Sequence, residues 1–355
     1  MSTSLPATMR AYRLLQWQQP PQLVETDVPR PGRGQVIVRV AGNGLCHSDV
    51  GMAQMPAQFG EAIGWRMPFT LGHEIAGWIA DAGDDVEGYA PGDPVALVSP
   101  ASCGRCRFCL RGQDSACPNG LVGRGYGHDG GLAPYVLVDT VRSLLPLQTL
   151  DPVVAGPLTD AGATSYHAVK RLLPRLAPDT TAVVLGAGGL GSFAIQHLRA
   201  LSSARVIAVD RSTKRLEVAR EMGAHEAIEG IGANTTSELL ELTGGEGADA
   251  VLDFVGINES ITAGLGAVRP TGAFALIGAS GGGFSGPWYG GLPRDGEVFT
   301  FQGSTIADAQ DVLALAEVGL IRSEVDVFSL DQVGEAYEAL DAGQLRGRAV
   351  VTPES

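Results

Sequence analysis

Lysine is almost absent from this chain. Lys170 and Lys214 are the only two in 355 residues, and arginine carries the rest of the positive charge. That shortage is a bias of composition, and no mechanism attaches to it. Basic charge as a whole is also in the minority: 25 Lys and Arg stand against 39 Asp and Glu, a formal net charge of −14. Such a surface repels nucleic acid and anionic membranes, so neither is an expected partner. Long apolar runs are missing too. The nearest approach to membrane-spanning length, 181–210, is broken by Gln196, His197, Arg199 and Arg205. Met1 to Arg10 is polar and interrupted by proline, without the apolar stretch of a secretory leader. A cytoplasmic protein is the expectation, and there thiols stay reduced and open to metals. No internal repeat or low-complexity linker is evident.

Cysteine is sparse, but all five residues can be assigned to metal chemistry. Four form a ladder, Cys103-x2-Cys106-x2-Cys109-x7-Cys117. Close spacing, an odd total and a reducing compartment argue against disulfides. Four thiolates saturate a tetrahedral zinc, so this site would be structural and inert. The fifth, Cys46, lies in Gly44-Leu45-Cys46-His47-Ser48-Asp49, with Gly72-His73-Glu74 downstream. One Cys with one His cannot fill a zinc shell, and a site built on them would stay open to substrate. Taken singly, a lone Cys is more often a small core residue and a lone His a satisfied hydrogen-bonding group.

At 45% hydrophobic content the chain can bury a large core, and two domains are expected. Residues 35–41 read as a strand ending at Gly42-Asn43-Gly44. From there to residue 150, short strands, glycine turns and prolines suit a β-rich domain. The ladder lies in a Gly/Arg-rich loop without helical or strand periodicity, which a metal would organise. The character changes at Asp151. Strands at 182–185, 205–209, 248–254 and 273–277 alternate with helices at 189–201 and onward through Met222. That alternation describes a doubly wound parallel sheet. Beyond 295 the signals are mixed again, Gly281-Gly282-Gly283 marks a flexible loop, and Arg348-Ala349-Val350-Val351 reads as a closing strand.

Gly186-Ala187-Gly188-Gly189-Leu190-Gly191 follows a strand and opens a helix. A lone G-x-G-x-x-G is weak, but here a strand precedes it, a helix follows, and Asp210 ends the next strand. Gly186 permits the tight turn, Gly188 lets backbone amides reach a pyrophosphate, and Gly191 allows close helix–strand packing. Gly189 and Leu190 begin the helix whose unpaired N–H groups would face that anion. Asp210 would accept from the ribose 2′-OH and repel a 2′-phosphate, which favours NAD over NADP; the adjacent Arg211 pulls the other way.

These segments together resemble a zinc-dependent alcohol dehydrogenase of the medium-chain dehydrogenase/reductase superfamily, and within it the bacterial secondary-alcohol dehydrogenases. The resemblance covers nearly the whole length. It implies an α/β fold: a GroES-like β-rich catalytic domain (1–150 with 296–355) and a Rossmann NAD-binding domain (151–295). It implies two zinc ions per chain, one held by the ladder and one catalytic, bound by Cys46 and His73. The third catalytic ligand, often cysteine, maps to Pro157-Leu158-Thr159-Asp160-Ala161-Gly162, where no cysteine remains and Asp160 occupies the position. A thiolate, a neutral imidazole and a carboxylate would balance Zn²⁺ to zero. Glu74 is implied beside the metal, or as an occasional fourth ligand.

Ser48 matches the hydroxyl that hydrogen-bonds substrate oxygen and passes its proton outward. His47 stands where many relatives carry arginine, and Gly51 where they carry a proton-accepting histidine. His47 and the cofactor ribose are therefore the candidates for the rest of the proton route. Thr164 is implied near the nicotinamide, Arg215 at the adenosine ribose and Arg346 near the pyrophosphate, with Val255 and Ile277 among the other cofactor contacts.

The implied reaction is the reversible oxidation of hydrophobic secondary alcohols to ketones by hydride transfer to NAD. Its alternatives are a primary-alcohol or aldehyde enzyme on the same fold, and a non-catalytic binding member. Met52, Met55, Phe59, Trp65, Met67 and Phe69 fit an apolar substrate pocket and ordinary core packing equally well. Trp288 and Tyr289 could serve a domain or subunit contact. A homo-oligomer is expected by analogy, a tetramer before a dimer.

Overall fold

The computed structural model describes residues 5–353, which divide into two compact units. The first comprises Met1–Ala163 with Gly303–Ser355, the second Thr164–Gln302. By contacts the divisions thus fall at 163/164 and 302/303, later on both sides than the changes of sequence character at 151 and 295.

The first unit is built around strand Val36–Gly44, buried along almost its whole length. Glu74–Ala82 pairs antiparallel on one side, with Gly44 opposite Glu74. Arg348–Thr352 pairs antiparallel near the same end, with Val350 opposite Gly44. Pro94–Leu97 and Leu144–Pro146 extend the sheet one way and Val325–Ser329 the other, and Tyr135–Val138 also joins Val36–Gly44. The expected strand end at Gly42 is passed: the strand runs to Gly44, absorbing a register shift between Val40 and Gly42. Its last residue therefore lies between Glu74, at the start of one segment, and Val350, in the middle of another distant in sequence.

The Met- and aromatic-rich segment forms helices His47–Gln54 and Ala57–Ala62 and the short strand Phe69–Thr70. Met52, Trp65 and Phe69 are buried in a core with Leu14, Leu45, Leu71 and Leu330, and Met55 and Met67 pack against it. Phe59 is 60% exposed. The segment turns back on itself through two helices, so its apolar side chains meet the sheet and the C-terminal helix Val333–Asp341. Each of the fully buried ones contributes about 1.5–3 kcal/mol. Core packing is thus the role the structure gives them. The ladder loop is also less featureless than its sequence: Cys109–Arg111 and Asp114–Ala116 are single 3₁₀ turns.

The second unit is a six-stranded parallel sheet ordered Glu226–Glu229, Arg205–Asp210, Thr181–Leu185, Ala248–Asp253, Val268–Leu276 and Glu297–Thr300. Every residue of Ala248–Asp253 is buried, as a strand covered on both faces requires. The strand order reverses between Thr181–Leu185 and Ala248–Asp253, which is the switch point where doubly wound sheets bind ligands.

Candidate metal centres and nucleotide fold

Register in the first unit's sheet assembles one cluster. Cys46 follows strand Val36–Gly44 and precedes helix His47–Gln54. His73 and Glu74 sit at the entry of the neighbouring strand, whose first residue pairs with Gly44. Asp160 follows the 3₁₀ turn Gly156–Thr159, which crosses close over that strand. A Cβ on Gly156 would lie 2.2 Å from the Glu74 carbonyl oxygen, so only glycine lets the turn come this near. Ligand atoms of Cys46, His73, Glu74 and Asp160 consequently all lie within 4.8 Å of one another. His73 Nε2 is 3.6 Å from Asp160 Oδ2. His73 is 7% exposed and Glu74 not at all.

Three residues without an assigned role in the sequence hold this cluster. Asp49 Oδ1 lies 3.2 Å from His73 Nδ1. Asp49 Oδ2 accepts from the Cys46 backbone N–H at 3.1 Å and from the Tyr337 hydroxyl at 3.0 Å. Arg348, first residue of its strand, forms a buried ion pair with Glu74 Oε1. Asp49 had a local signal, since an acid three residues after a helix start commonly caps it. Arg348 and Tyr337 had none, because their places depend on strand pairing and helix docking.

Burial opposes charge on His73, yet Asp49, Asp160 and Cys46 outweigh it and hold its pKa well above the ordinary 6.5. Burial also works against the Cys46 thiolate, but His73 and Arg348 bring the thiol below its usual range. Asp160 is lowered despite its burial, chiefly through His73. Burial pushes Glu74 up against the pull of Arg348. Glu74 Oε2 has no hydrogen-bond partner among the described residues. Thiolate, imidazole and two carboxylates around one small space, one oxygen unpartnered, form a set that a divalent cation fits.

The ladder converges as well. Cys106 Sγ is 3.5 Å from Cys109 Sγ and 3.9 Å from Cys117 Sγ, close to the ~3.8 Å edge that zinc–sulfur bonds of about 2.3 Å imply in a tetrahedron. All four sulfurs cluster, and none of the five cysteines is in a disulfide. Backbone N–H groups of Arg105 and Cys106 lower Cys103 to about 6. Burial and the neighbouring thiols push Cys109 up to about 12. Thiolates are thus partly prepared by backbone donors, and the remaining repulsion is what a cation would relieve.

His47 and Ser48 are exposed on the first turn of helix His47–Gln54, directly after Cys46. Arg346 is exposed in the same unit, its backbone N–H donating to Asp326 at 2.9 Å.

In the second unit, strand Thr181–Leu185 leads into Gly186 at φ 87°, and helix Gly189–Leu201 starts from Gly188. A Cβ on Gly191 would lie 1.8 Å from the Gly186 carbonyl oxygen. Asp210 Oδ2 accepts from Ala187 N at 2.8 Å and Oδ1 from Ser212 N at 2.9 Å. The carboxylate thus anchors the glycine turn and still has lone pairs for a ribose hydroxyl. Arg215 lies 3.9 Å from it. Leu190 is half-buried at the helix start, and Thr164 is buried on Ala161–Leu172. Val255 follows strand Ala248–Asp253 and packs on Gly186. Ile277 follows strand Val268–Leu276, its N–H donating to the Asp253 carbonyl at 2.9 Å. The Val255 turn is fixed by buried Asp253, which accepts from Val255 N, Gly256 N and Ser260 Oγ. Among the described residues, no helix is long and apolar enough to cross a membrane.

Comparison with known proteins gives the family. Residues 32–149 match the alcohol dehydrogenase GroES-like domain, and 189–317 the zinc-binding dehydrogenase domain. The chain is 36% identical to an NAD-dependent alcohol dehydrogenase of Sulfurisphaera tokodaii, over 97% of this chain and all of that protein. It is 32% identical to a D-arabinose 1-dehydrogenase (NADP(+)) of Saccharolobus solfataricus, over 97% of each. Among solved structures, the acetophenone reductase of Geotrichum candidum in complex with NAD superposes with a TM-score of 0.86 at 26% identity, covering 99% of each chain.

Proposed function

The chain belongs to the zinc-binding, NAD-dependent alcohol dehydrogenases of the medium-chain superfamily, and on that premise we propose that it interconverts hydrophobic secondary alcohols and ketones. The observation that carries this reading is the donor set at the open site. Its third member is the carboxylate of Asp160, the variant through which the sequence resembles the bacterial secondary-alcohol dehydrogenases. Likeness to an acetophenone reductase, named for a ketone whose reduction yields a secondary alcohol, supports it.

In this reading Cys46, His73 and Asp160 hold the catalytic zinc, and Glu74 stands beside it, restrained by Arg348. Cys103, Cys106, Cys109 and Cys117 hold the structural zinc. When bound, the catalytic zinc supplies Lewis acidity that lowers the hydroxyl pKa of an alcohol, and NAD supplies the hydride acceptor. Ser48 accepts the alcohol's hydrogen bond and takes its proton toward solvent, with His47 next in line. Asp210 selects the unphosphorylated ribose, and Arg215, Thr164, Val255 and Ile277 complete the cofactor contacts of the second unit. The setting proposed is cytoplasmic, as a homo-oligomer, with a tetramer favoured.

A second reading comes from the D-arabinose dehydrogenase relative: a sugar as substrate with NADP(+) as oxidant. Steady-state profiling decides between them. Values of kcat/KM for secondary aryl-alkyl and aliphatic alcohols should exceed those for matched primary alcohols and for aldoses, with NAD preferred. An aldose or a primary alcohol leading, or NADP(+) preferred, would overturn the proposal.

A further inference from the structure

Asp49 is gripped from two directions that share no neighbourhood in sequence. On one side, Oδ1 lies 3.2 Å from His73 Nδ1, an ion-pair contact outside hydrogen-bond geometry. On the other, Oδ2 accepts from the Tyr337 hydroxyl at 3.0 Å, from a residue 288 positions away along the chain. Tyr337 sits on helix Val333–Asp341, and its ring stacks on Tyr12 with centroids 6.0 Å apart. Val333, Ala336 and Leu340 of that helix are buried in the same core as Leu14, Leu45 and Trp65. The hydroxyl is therefore presented from a fixed support.

A carboxylate's terminal torsion is soft and roughly two-fold, so one donor sets its rotation poorly. Asp49 has two donors on the same oxygen: the Cys46 backbone N–H at 3.1 Å and the Tyr337 hydroxyl. With both on Oδ2, the other oxygen is left turned to His73. We propose that Tyr337 is a positioning residue for the catalytic metal. Its hydroxyl fixes the Asp49 carboxylate, Asp49 fixes the His73 ring, and Nε2 is thereby aimed at the space shared with Cys46 and Asp160. This rests on the reading of Cys46, His73 and Asp160 as zinc ligands. Removing the direct carboxylate partner of a metal-bound histidine typically weakens binding ~10–100-fold. Tyr337 acts one step further out, and a loss of about fivefold is expected.

The test is Tyr337→Phe, which keeps the ring and its stack on Tyr12 and removes only the hydroxyl. Zinc-loaded wild type and variant are equilibrated with graded chelator and the retained metal is counted, the ladder zinc serving as internal reference. The expected result is release of the catalytic zinc at about fivefold lower chelator strength, with ladder zinc unchanged. Cobalt substituted at the catalytic site should show displaced visible bands.

Unchanged release and an unchanged cobalt spectrum would overturn the proposal, whatever happens to thermal stability. A wild type that holds only the ladder zinc would instead sink the ligand reading itself. Should Tyr337→Phe fail to fold, Tyr337→Met, which also lacks the donor, is read the same way. Tyr12→Phe preserves the Tyr337 hydroxyl and should leave release unchanged; an equal shift there would assign the effect to packing and refute the proposal.

Discussion

Replacing Arg348 with methionine would leave the Glu74 carboxylate buried without its cation. Neither partner has appreciable access to water: Glu74 is 0% and Arg348 5% exposed. Breaking such a pair from one side costs ~3–5 kcal/mol, because the remaining charge keeps its desolvation penalty and loses its compensation. A cation among Cys46, His73 and Asp160 would take up part of that charge, so the low end, about 3 kcal/mol, is expected for zinc-loaded protein. In a unit of roughly 200 residues each kcal/mol moves the melting point by ~2–4 °C, which gives a fall of about 6–12 °C. Methionine roughly keeps the apolar length of the arginine stem, so little of this loss is packing.

The assay is calorimetric melting with metal content measured on the same samples. The double variant Glu74→Gln with Arg348→Met separates charge from shape, since it removes the stranded carboxylate. It should recover more than half of the loss. A single-variant shift under about 2 °C, or a double variant no more stable than the single, would refute the assignment of this pair as the prop of the site.

Two further predictions concern other parts of the molecule. In Gly191→Ala the new Cβ would meet the Gly186 carbonyl oxygen at 1.8 Å, so the turn must shift. A stability loss of ~1–3 kcal/mol and an NADH dissociation constant raised about tenfold are expected, and fluorescence titration would expose an unchanged affinity. The Glu317 carboxylate accepts from the backbone of Gln148 at 2.8 Å and of Thr149 at 2.9 Å, and from the Thr149 hydroxyl. Slight burial would raise its pKa, but these donors outweigh it and hold it below the ordinary 4.5. A depressed folded pKa gives stability that is present above 4.5 and lost as pH falls through the folded value. Glu317→Gln should therefore cost about 1 kcal/mol at neutral pH, after allowance for solvent screening. The difference from wild type should narrow in acid below 4.5; a gap that widens there would contradict the sign.

Much of the molecule was legible in the sequence because its signals are local. The glycine turn at 186–191 stands between a strand and a helix, and the cysteine ladder needs only its spacing to suggest one tetrahedral site. Asp160 could be singled out only through resemblance and through the lack of another cysteine. What could not be read is what register creates. Arg348 meets Glu74 because two strands flank Val36–Gly44 near the same end, and Tyr337 reaches Asp49 because a C-terminal helix docks on an N-terminal one. The segment from Met52 to Phe69 was ambiguous for a different reason. Methionine and aromatic side chains are apolar in a pocket and in a core alike, and only the fold-back of two short helices sends Met52, Trp65 and Phe69 inward.

The first unit's central sheet has a consequence for the order in which the protein can be made. Helix Val333–Asp341 and strand Arg348–Thr352 are synthesised only after a complete second unit, which emerges between them and residues 5–163. Until those residues emerge, Glu74 has no Arg348, Asp49 has no Tyr337, and strand Val36–Gly44 has an open edge where Arg348–Thr352 will pair. The nucleotide-binding half can fold before residues 333–352 are made, whereas the metal-binding half must wait for them. Chains cut before Val333 should thus yield an intact dinucleotide fold beside an unfinished, aggregation-prone sheet.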